Sequence, residues 1–385
     1  MKKPKIALVC DWFLPRVGGI ELQISDLAHE LANRGFDVCV ITTTPGPVDY
    51  DGIPVHRLNE VMIPGVPVAA PFLWKIMSFR RLLERERIDV VHAHGMFSTL
   101  GMMWILAAYY SGIPTVTTHH SLIQGILRPL ARAIFDVAMR RVNVVTAVSE
   151  AAASDARWVS RRNQVEVLPN GINPDDWTQA TPADDEIHVV SVMRLTQKKN
   201  PHDLIRAIPE ILTGTGDLPP VRFTVVGEGP ERQNLERLVS DLALQHCVDL
   251  VGYKPRPAIN DLMQQASLFV SPCSNEAFGV ALLEARCAGL PVVAMNHGGT
   301  GDVISHGKQG FLANDHRELV DHTIKVINDR ALRKRLIQEC RDDVDRFSWS
   351  TVIDHHVRVY AHAKTDCEAG VGRVRRGSSS TSLEL

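Results

Sequence analysis

Short apolar runs, rich in β-branched residues, alternate with helical patterns along most of the chain, and they do so in two series. Continuous runs of this kind, as opposed to strict apolar–polar alternation, indicate parallel strands covered by helices on both faces of a sheet. The predicted strands of the first series are residues 6–10, 38–41, 90–91, 115–117 and 144–148, and those of the second are 187–192, 221–226, 248–250, 268–270 and 292–294. The chain is therefore predicted to be an α/β protein with two Rossmann-like βαβ domains.

The length of 385 residues exceeds what one ordinary hydrophobic core holds, which supports two domains. We assign residues 1–176 to a first domain, 177–186 to a polar, turn-rich linker and 187–349 to a second domain. Residues 350–364 are predicted to form a helix, with a return to the first domain as one option, and 365–385 a disordered tail. Because ligands of open α/β sheets bind outside the carboxyl ends of the strands, the two domains are expected to face each other across a cleft.

The charge balance and the cysteines limit the class of protein. The formal net charge of -2 gives no support for a nucleic-acid binder. The 7 cysteines are scattered without a CxxC pair, which is typical of reduced thiols in the cytosol. The first strand follows the initial methionine so closely that no signal peptide is predicted, and the longest apolar stretch, 96–110, falls short of the ~20 residues that span a bilayer. We expect a cytoplasmic protein, at most peripheral to the cytoplasmic face of a membrane.

Two glutamates flank the start of a predicted helix in the second series. Glu276 lies on the loop after strand 268–270, and Glu284 lies inside the helix that follows. The backbone N–H groups of Phe278, Gly279 and Val280 point out of the helix start, where an anionic phosphate binds readily. Even a continuous helix would separate the two carboxylates by ~12 Å along its axis. That exceeds the roughly 5–9.5 Å of a glycosidase pair, so two separate sugar contacts fit the spacing better.

A basic pair follows the first strand of the second series. Arg194 and Lys199 lie just beyond residue 192, where a strand's carboxyl end places side chains over the ligand-binding edge. There they can neutralise a diphosphate leaving group. A solvated basic loop explains this pair equally well when it is taken alone, and the neighbouring glutamate segment favours the functional interpretation.

Two glycine motifs follow strands. Gly18 and Gly19 permit close backbone approach to a ligand, although by themselves they fit a flexible turn better. The segment 227–230 begins like a dinucleotide fingerprint, but Pro230 and Arg232 stand where a third small residue is needed, and we reject an NAD site.

Four histidines, His92, His94, His119 and His120, fall at the carboxyl ends of strands in the first series. They raise the possibility of a zinc site, but metal-ligand spacing and the HExxH pattern are absent, so no metal is expected. A polar role toward a sugar is favoured, and satisfied strand-end histidines are the alternative for the first two.

Taken together in their order along the chain, these motifs resemble those of the retaining glycosyltransferases of family 4, which have the GT-B fold. The resemblance extends over residues 5–360. The resemblance rests on residues 18–21, 89–94, 114–120, 169–172, 194–199, 227–230, 276–284 and 288–293. Within the family, residues 11–15, 120–122 and 168–177 are similar to the subunits that place GlcNAc on phosphatidylinositol, and to related bacterial and archaeal enzymes.

The resemblance implies transfer of a hexosyl or N-acetylhexosaminyl group, with UDP-GlcNAc favoured as donor, to a lipid or glycan acceptor, without metal or cofactor. Glu284 would bind the donor ribose, and Glu276 and His120 the donor sugar. Arg194, Lys199 and the amides of residues 278–280 would hold the diphosphate. Gly19 would also contact it, and the adjacent Gly18 would form part of the same binding site. Two positions depart from the family pattern: Asn200 replaces a glycine, and Asp302 stands in place of a glutamate.

Other interpretations remain open at this point. A GT-B-fold nucleotide-sugar epimerase or a non-catalytic nucleotide-sugar binding module would share the same motifs. Two sets of arginines in the first domain suggest docking on an anionic membrane, although solvated arginines on helices packed against the sheet are slightly favoured. These sets are Arg80, Arg81, Arg85 and Arg87, and Arg128, Arg132, Arg140 and Arg141.

Overall fold

The computed structural model describes residues 3–58, 69–95, 98–123, 128–183, 185–216 and 219–378. The chain divides into two compact units: unit 1 is Met1–Gly171 with Trp349–Leu385, and unit 2 is Ile172–Ser348. The division falls ahead of the segment 177–186 that was predicted as a linker. Within unit 2, Trp177 and Ala180 are buried, and the Ala180 N–H donates to the Ala288 carbonyl (2.7 Å).

Unit 1 is built on an eight-stranded sheet in the order β3-β4-β2-β1-β5-β6-β7-β8. All neighbours pair in parallel except β3 and β4. The five predicted strands are confirmed, and three further strands, β3, β4 and β8, extend the sheet at its two ends. The strands are β1 (Lys5–Cys10), β2 (Asp37–Thr42), β3 (Asp49–Tyr50), β4 (Ile53–Arg57), β5 (Val90–His94), β6 (Thr115–His119), β7 (Val144–Ala147) and β8 (Glu166–Val167).

Amphipathic helices cover this sheet. In α1, Ile24, Leu27 and Leu31 recur at helical spacing and are buried against the strands, as the pattern predicted. The helix ends before Gly35, whose positive φ (80°) reverses the chain into β2. The helices that precede unit 2 are α1 (Gly19–Asn33), α2 (Ala69–Arg85), α3 (Thr99–Ser111), α4 (Arg128–Met139) and α5 (Glu150–Ser160).

Unit 2 contains a six-stranded parallel sheet in the order β11-β10-β9-β12-β13-β14. The order runs 3-2-1-4-5-6 within the unit, which is the doubly wound Rossmann order. The strands are β9 (Ile187–Val192), β10 (Val221–Val226), β11 (Val248–Gly252), β12 (Leu268–Ser271), β13 (Val292–Met295) and β14 (Gly310–Ala313). The helices are α6 (Pro201–Thr215), α7 (Arg232–Asp241), α8 (Arg256–Gln265), α9 (Val280–Cys287), α10 (Thr300–Val303), α11 (His316–Asn328) and α12 (Arg330–Cys340).

The last helix, α13 (Trp349–Ser378), packs in the core of unit 1. Val352, Ile353, Val359 and Tyr360 are buried among residues of α1 and the central strands. The helix extends beyond residue 364, where the sequence predicted it to end, and residues 379–385 of the predicted tail lie outside the described residues. Over the described parts of the chain, no helix is long and apolar enough to cross a membrane.

Candidate active site

The strand order of unit 2 reverses between β9 and β12, and the predicted donor-site residues gather at this point. The loops after these two strands lie side by side: Lys199 Nζ is 2.5 Å from Glu276 Oε2. Beside this pair, Cys273 Sγ lies 3.5 Å from the Lys198 carbonyl oxygen. In doubly wound sheets the reversal point is where ligands bind. A cation and a carboxylate therefore meet at the expected ligand position.

The Lys199 ammonium is held in its charged form. Burial is the largest single influence and lowers its pKa, but the charge of Glu276, the nearby Cys273 and the hydrogen bond to Glu276 together outweigh it, so the pKa of Lys199 is raised above its usual value. Arg194 acts in the opposite direction on the same pKa because its positive charge lies near Lys199. The loop after β9 thus carries two cations, and Lys199 contacts the Glu276 carboxylate; two neighbouring cations attract an anion such as a diphosphate.

Asn200, a departure from the family pattern, keeps the turn that a glycine would make. Its φ of 52° lies in the left-handed region, which asparagine tolerates better than other side chains. Its Nδ2 donates to Ser274 Oγ (2.9 Å) and so ties the loop after β9 to the loop after β12. The asparagine therefore adds a link between the two loops that a glycine cannot make.

The turn at 227–230 supports the loop that carries Arg194. Gly227 has a φ of 140°, and a Cβ there would lie 1.8 Å from the Met193 carbonyl oxygen. The Leu195 N–H donates to the Glu228 carbonyl (2.9 Å), which joins the two backbones. Glycine is needed here for close backbone packing, and the interpretation of this motif as a tight turn agrees with the geometry.

The start of α9 carries the predicted anion-binding amides. Gly279 precedes the helix with a φ of 95°, and Phe278 is buried with its ring 5.7 Å from the Phe347 ring. The Leu283 N–H donates to the Gly279 carbonyl (3.1 Å), so the N–H groups of residues 278–280 precede this hydrogen bond of the first turn. The positive end of the helix dipole therefore lies four positions along the chain from Glu276, the partner of Lys199.

Glu284 lies farther along α9 and is 7% exposed. Arg256, at the start of α8, places its Nε 3.6 Å from Glu284 Oε1. Arg256 is not among the residues that the sequence predicts for the site, because no local pattern marks it. Arg256 therefore places a positive charge beside this buried carboxylate, whose oxygens are acceptors for hydrogen bonds.

The position of Asp302 differs from that of the other candidates, because it lies in the short helix α10, where its side chain is half-buried. Its backbone carbonyl accepts a hydrogen bond from Arg346 (2.7 Å). The preceding Gly299 donates its N–H to the Glu276 carbonyl (2.8 Å), so this segment supports the Glu276 loop through the backbone.

Gly18 and Gly19, the predicted phosphate-approach glycines, lie in unit 1 at the start of α1. A Cβ at Gly18 would lie 2.4 Å from the Glu21 carboxylate, whereas a Cβ at Gly19 would meet nothing within 4 Å. A side chain at Gly18 would therefore displace the Glu21 carboxylate, whereas the space beside Gly19 is open.

Three of the strand-end histidines, His92, His94 and His120, form a cluster of neighbouring rings in unit 1. His92 and His94 lie on β5, His119 ends β6 and His120 follows it. The cluster also contains His356, whose ring centroid is 5.9 Å from that of His92. Among the described residues, no group of three or more His, Cys, Asp or Glu side chains is arranged to hold a metal ion.

These histidines are neutral at pH 7. Burial lowers the pKa of His119 to about 3 and those of His120 and His356 to about 4, and it holds those of His92 and His94 well below the usual value. His120 is the partly exposed member and lines a small cavity of unit 1. It can therefore offer a neutral N–H or a lone pair to a ligand.

Several arginines of the two sets form hydrogen bonds, ion pairs or ring contacts with neighbouring residues. Arg80 Nε donates to Ser111 Oγ (3.2 Å), Arg140 pairs with Asp136 (2.7 Å), and the Arg141 guanidinium lies over a tyrosine ring. The side chain of Arg128 lies outside the described residues. These contacts fit solvated arginines on packed helices, and docking on a membrane stays a prediction.

Comparisons with known proteins agree with this architecture. A family model described as Glycosyl transferases group 1 matches residues 174–343, and one described as Glycosyltransferase Family 4 matches residues 17–176. The chain is 30% identical over 375 residues to the phosphatidylinositol N-acetylglucosaminyltransferase gpi3 subunit of Schizosaccharomyces pombe, a match covering 92% of this chain and 79% of that protein.

Two further similarities extend the comparison. The chain is 27% identical over 386 residues to the phosphatidylinositol N-acetylglucosaminyltransferase GPI3 subunit of Saccharomyces cerevisiae, covering 94% of this chain and 84% of that protein. The solved structure of Anabaena HepE in complex with UDP and glucose matches with a TM-score of 0.75 at 21% identity, covering 93% of this chain and 99% of that chain. At this identity the structural match establishes the fold.

Proposed function

Since the chain belongs to glycosyltransferase family 4 and is a glycosyltransferase with the GT-B fold, we propose that it transfers N-acetylglucosamine from UDP-GlcNAc to a phosphatidylinositol-type lipid with retention of the anomeric configuration. The observation that carries the proposal is the Lys199–Glu276 contact of 2.5 Å at the reversal point of the unit 2 sheet, next to the start of α9. The resemblance to the two yeast proteins supports the choice of donor sugar and acceptor.

The proposed chemistry centres on the departing diphosphate. As the bond to the sugar breaks, negative charge builds on the β-phosphate, and groups that are fixed in place before the reaction stabilise it. Lys199 carries three N–H donors, so it can keep its contact with Glu276 and also reach a phosphate oxygen. Arg194 and the amides of residues 278–280 add to the same stabilisation. Protein groups supply the positive charge, so we expect transfer to continue in excess EDTA.

The two carboxylates have separate roles in this proposal. Glu284, buried on α9 beside Arg256, accepts hydrogen bonds from the ribose hydroxyls. Glu276 positions the Lys199 ammonium and accepts from hydroxyls of the donor sugar. His120 and Gly19, which lie in unit 1, are proposed to contact the donor sugar and the diphosphate.

Two substitutions test these roles against a matched control. Lys199→Ala should lower kcat by roughly 10²–10³, since it removes one charge placed for the transition state. Lys198→Ala removes an exposed lysine from the adjacent position and should leave kcat unchanged. Glu284→Ala should chiefly weaken donor binding, measured by calorimetry. An unchanged kcat for Lys199→Ala removes Lys199 from the mechanism, and a normal donor Kd for Glu284→Ala contradicts the ribose contact.

The substrates are tested with a donor panel and a lipid acceptor. UDP-GlcNAc, UDP-glucose and GDP-mannose are compared by thermal shift, because the donor that binds most tightly stabilises the folded protein most at equal concentration. UDP-GlcNAc is then incubated with vesicles that contain phosphatidylinositol, and the product is analysed by NMR for its anomeric configuration. A lipid product with retained configuration supports the proposal. An inverted product, an epimerised free donor, or no product with any acceptor contradicts it.

A further inference from the structure

His94 and His120 meet at the carboxyl ends of β5 and β6 in unit 1. These two strands are adjacent and parallel, with His94 in register with Thr118. His94 Nδ1 lies 3.0 Å from His120 Nε2, and the ring centroids are 5.2 Å apart. The distance is that of a hydrogen bond between two ring nitrogens.

A hydrogen bond between two neutral imidazoles determines the tautomers of both. Each neutral ring carries one N–H and one lone pair, so one nitrogen of the contact must be protonated and the other bare. If His94 Nδ1 donates, His120 carries its proton on Nδ1. If His120 Nε2 donates, His94 carries its proton on Nε2.

The environment of His94 favours the first arrangement. His94 is 7% exposed, and its Nε2 is buried without a hydrogen-bond partner within the part of the chain that the structure describes. An unpartnered buried N–H is avoided more strictly than an unpartnered buried acceptor. The proton of His94 therefore belongs on Nδ1, where His120 Nε2 accepts it.

A chain of hydrogen bonds with a defined donor and acceptor at each step holds the ring of His92, which packs against the ring of His94. The Thr146 hydroxyl can donate to the Thr117 carbonyl (3.3 Å), which leaves Thr146 Oγ1 to accept from the Thr118 hydroxyl (2.7 Å). Thr118 Oγ1 then accepts from His92 Nε2 (2.7 Å), and His92 Nδ1 accepts from the Tyr360 hydroxyl (2.9 Å).

This chain fixes one orientation of His92, and the His94 ring lies against it. The two ring centroids are 4.1 Å apart, with 34° between the planes. Residues of β6, β7 and α13 therefore hold His92, and His92 holds one face of the His94 ring. The polar contact of His94 is the one with His120.

We infer that His94 is a positioning residue that holds His120 in the Nδ1–H tautomer, so that His120 offers a neutral N–H donor to a hydroxyl oxygen of the sugar substrate; this inference rests on the proposed role of His120. The cavity that His120 lines also contains Gln23 and Asn170, and it has room for about one water molecule in the absence of substrate. Gln23 Oε1 has no hydrogen-bond partner among the described residues. A donor on His120 and an acceptor on Gln23 thus line the same small cavity, which suits a hydroxyl group.

The test reads the tautomer directly. The full-length protein is labelled with ¹⁵N-histidine, and long-range ¹H–¹⁵N NMR distinguishes Nδ1–H from Nε2–H rings; the signal of His120 is assigned with His120→Gln. His94→Asn keeps a polar group near the position of Nδ1, and His94→Leu removes it while keeping the volume similar. We expect the Nδ1–H tautomer of His120 in the wild type and in His94→Asn, and exchange between both tautomers in His94→Leu. For transfer from UDP-GlcNAc, kcat/KM should fall about fivefold to tenfold in His94→Leu and recover in His94→Asn.

The outcomes separate this inference from the proposed function. An Nε2–H tautomer of His120 in the wild type, or an unchanged tautomer in His94→Leu, overturns the positioning role whatever the activity. If His94→Leu does not fold, the wild-type and His94→Asn spectra still decide the question. If the tautomer responds as expected and no transfer is detected with any donor, the proposed function fails and the positioning contact stands.

Discussion

Acidification should destabilise unit 1, because the core of this unit holds histidines that the folded protein keeps neutral. His356 is 5% exposed, and burial lowers its pKa to about 4. Its Nδ1 donates to the Val352 carbonyl (3.0 Å) one turn earlier in α13. In the unfolded chain the same ring has an ordinary pKa near ~6.5 and takes up a proton well before it does in the folded state. The stabilising effect of the neutral ring is therefore present above pH 6.5 and is lost as the pH falls toward 4.

The magnitude follows from linkage between protonation and folding. Between the two pKa values, stability changes by about 1.4 kcal/mol per pH unit for each such group. Lowering the pH from 7 to 5 should therefore remove about 2 kcal/mol through His356. His119, which is 1% exposed with a pKa lowered to about 3, adds a similar amount. Together the two rings account for about 4 kcal/mol, a large part of the 5–15 kcal/mol that stabilises a typical domain.

The assay is urea unfolding at pH 7, 6 and 5, followed by tryptophan fluorescence. Five of the 6 tryptophans lie in unit 1, so the signal reports mainly on that unit. His356→Gln should lose less stability between pH 7 and pH 5 than the wild type does, by about 2 kcal/mol. Ile353→Val, a control that truncates a fully buried side chain of the same helix, should lower stability by about 1 kcal/mol at every pH. Its loss between pH 7 and pH 5 should match that of the wild type.

Comparing how the free energy of unfolding changes with pH in each variant separates the effect of protonation from the effect of packing. If His356→Gln and the wild type lose the same free energy between pH 7 and pH 5, the neutral buried histidine does not explain the acid sensitivity. If Ile353→Val also changes the pH dependence, the loss comes from general weakening of the core.

Three further predictions concern unit 2. Gly227→Ala should reduce both stability and donor affinity, since its Cβ would lie 1.8 Å from the Met193 carbonyl oxygen. Gly301→Ala is the control, because its Cβ would meet nothing within 4 Å, and equal melting temperatures for the two variants would contradict the packing argument. Arg286→Met should destabilise by about 3 kcal/mol or more in urea unfolding, because it leaves three carbonyl oxygens, two of them in buried hydrogen bonds, without the guanidinium that binds them. Asn200→Gly should preserve the turn and lower donor affinity by less than about tenfold, because the hydrogen bond between the two loops is lost. Asn200→Ala should also lower stability, and equal stabilities of the two variants would refute strain at φ 52°.

Local sequence patterns were sufficient to predict most of the fold. Each of the ten predicted strands is present in one of the two sheets, since a buried parallel strand needs a continuous apolar run and that requirement is visible in the sequence. The helix α1 and its end near Gly35 were predicted for a similar reason, because burial of one face and reversal of the chain depend on residues within a few positions of each other. The extension of α13 past residue 364 was missed, because Gly370, Gly372 and Gly377 lower the helix propensity of this stretch.

The sequence by itself determined the two α/β sheets and the residue types available at the ends of their strands. Only the tertiary structure decided which of those residues meet: Lys199 contacts Glu276 across 77 positions of the chain, and His92 contacts Tyr360 across 268. Arg256 beside Glu284 and Asn200 beside Ser274 are further pairs that no spacing predicts. The physical reason is that periodicity and turn chemistry report on neighbours along the chain, whereas strand order sets contacts between distant segments. A candidate list of site residues can be read from the sequence, and their pairing, burial and charge state depend on the packed fold.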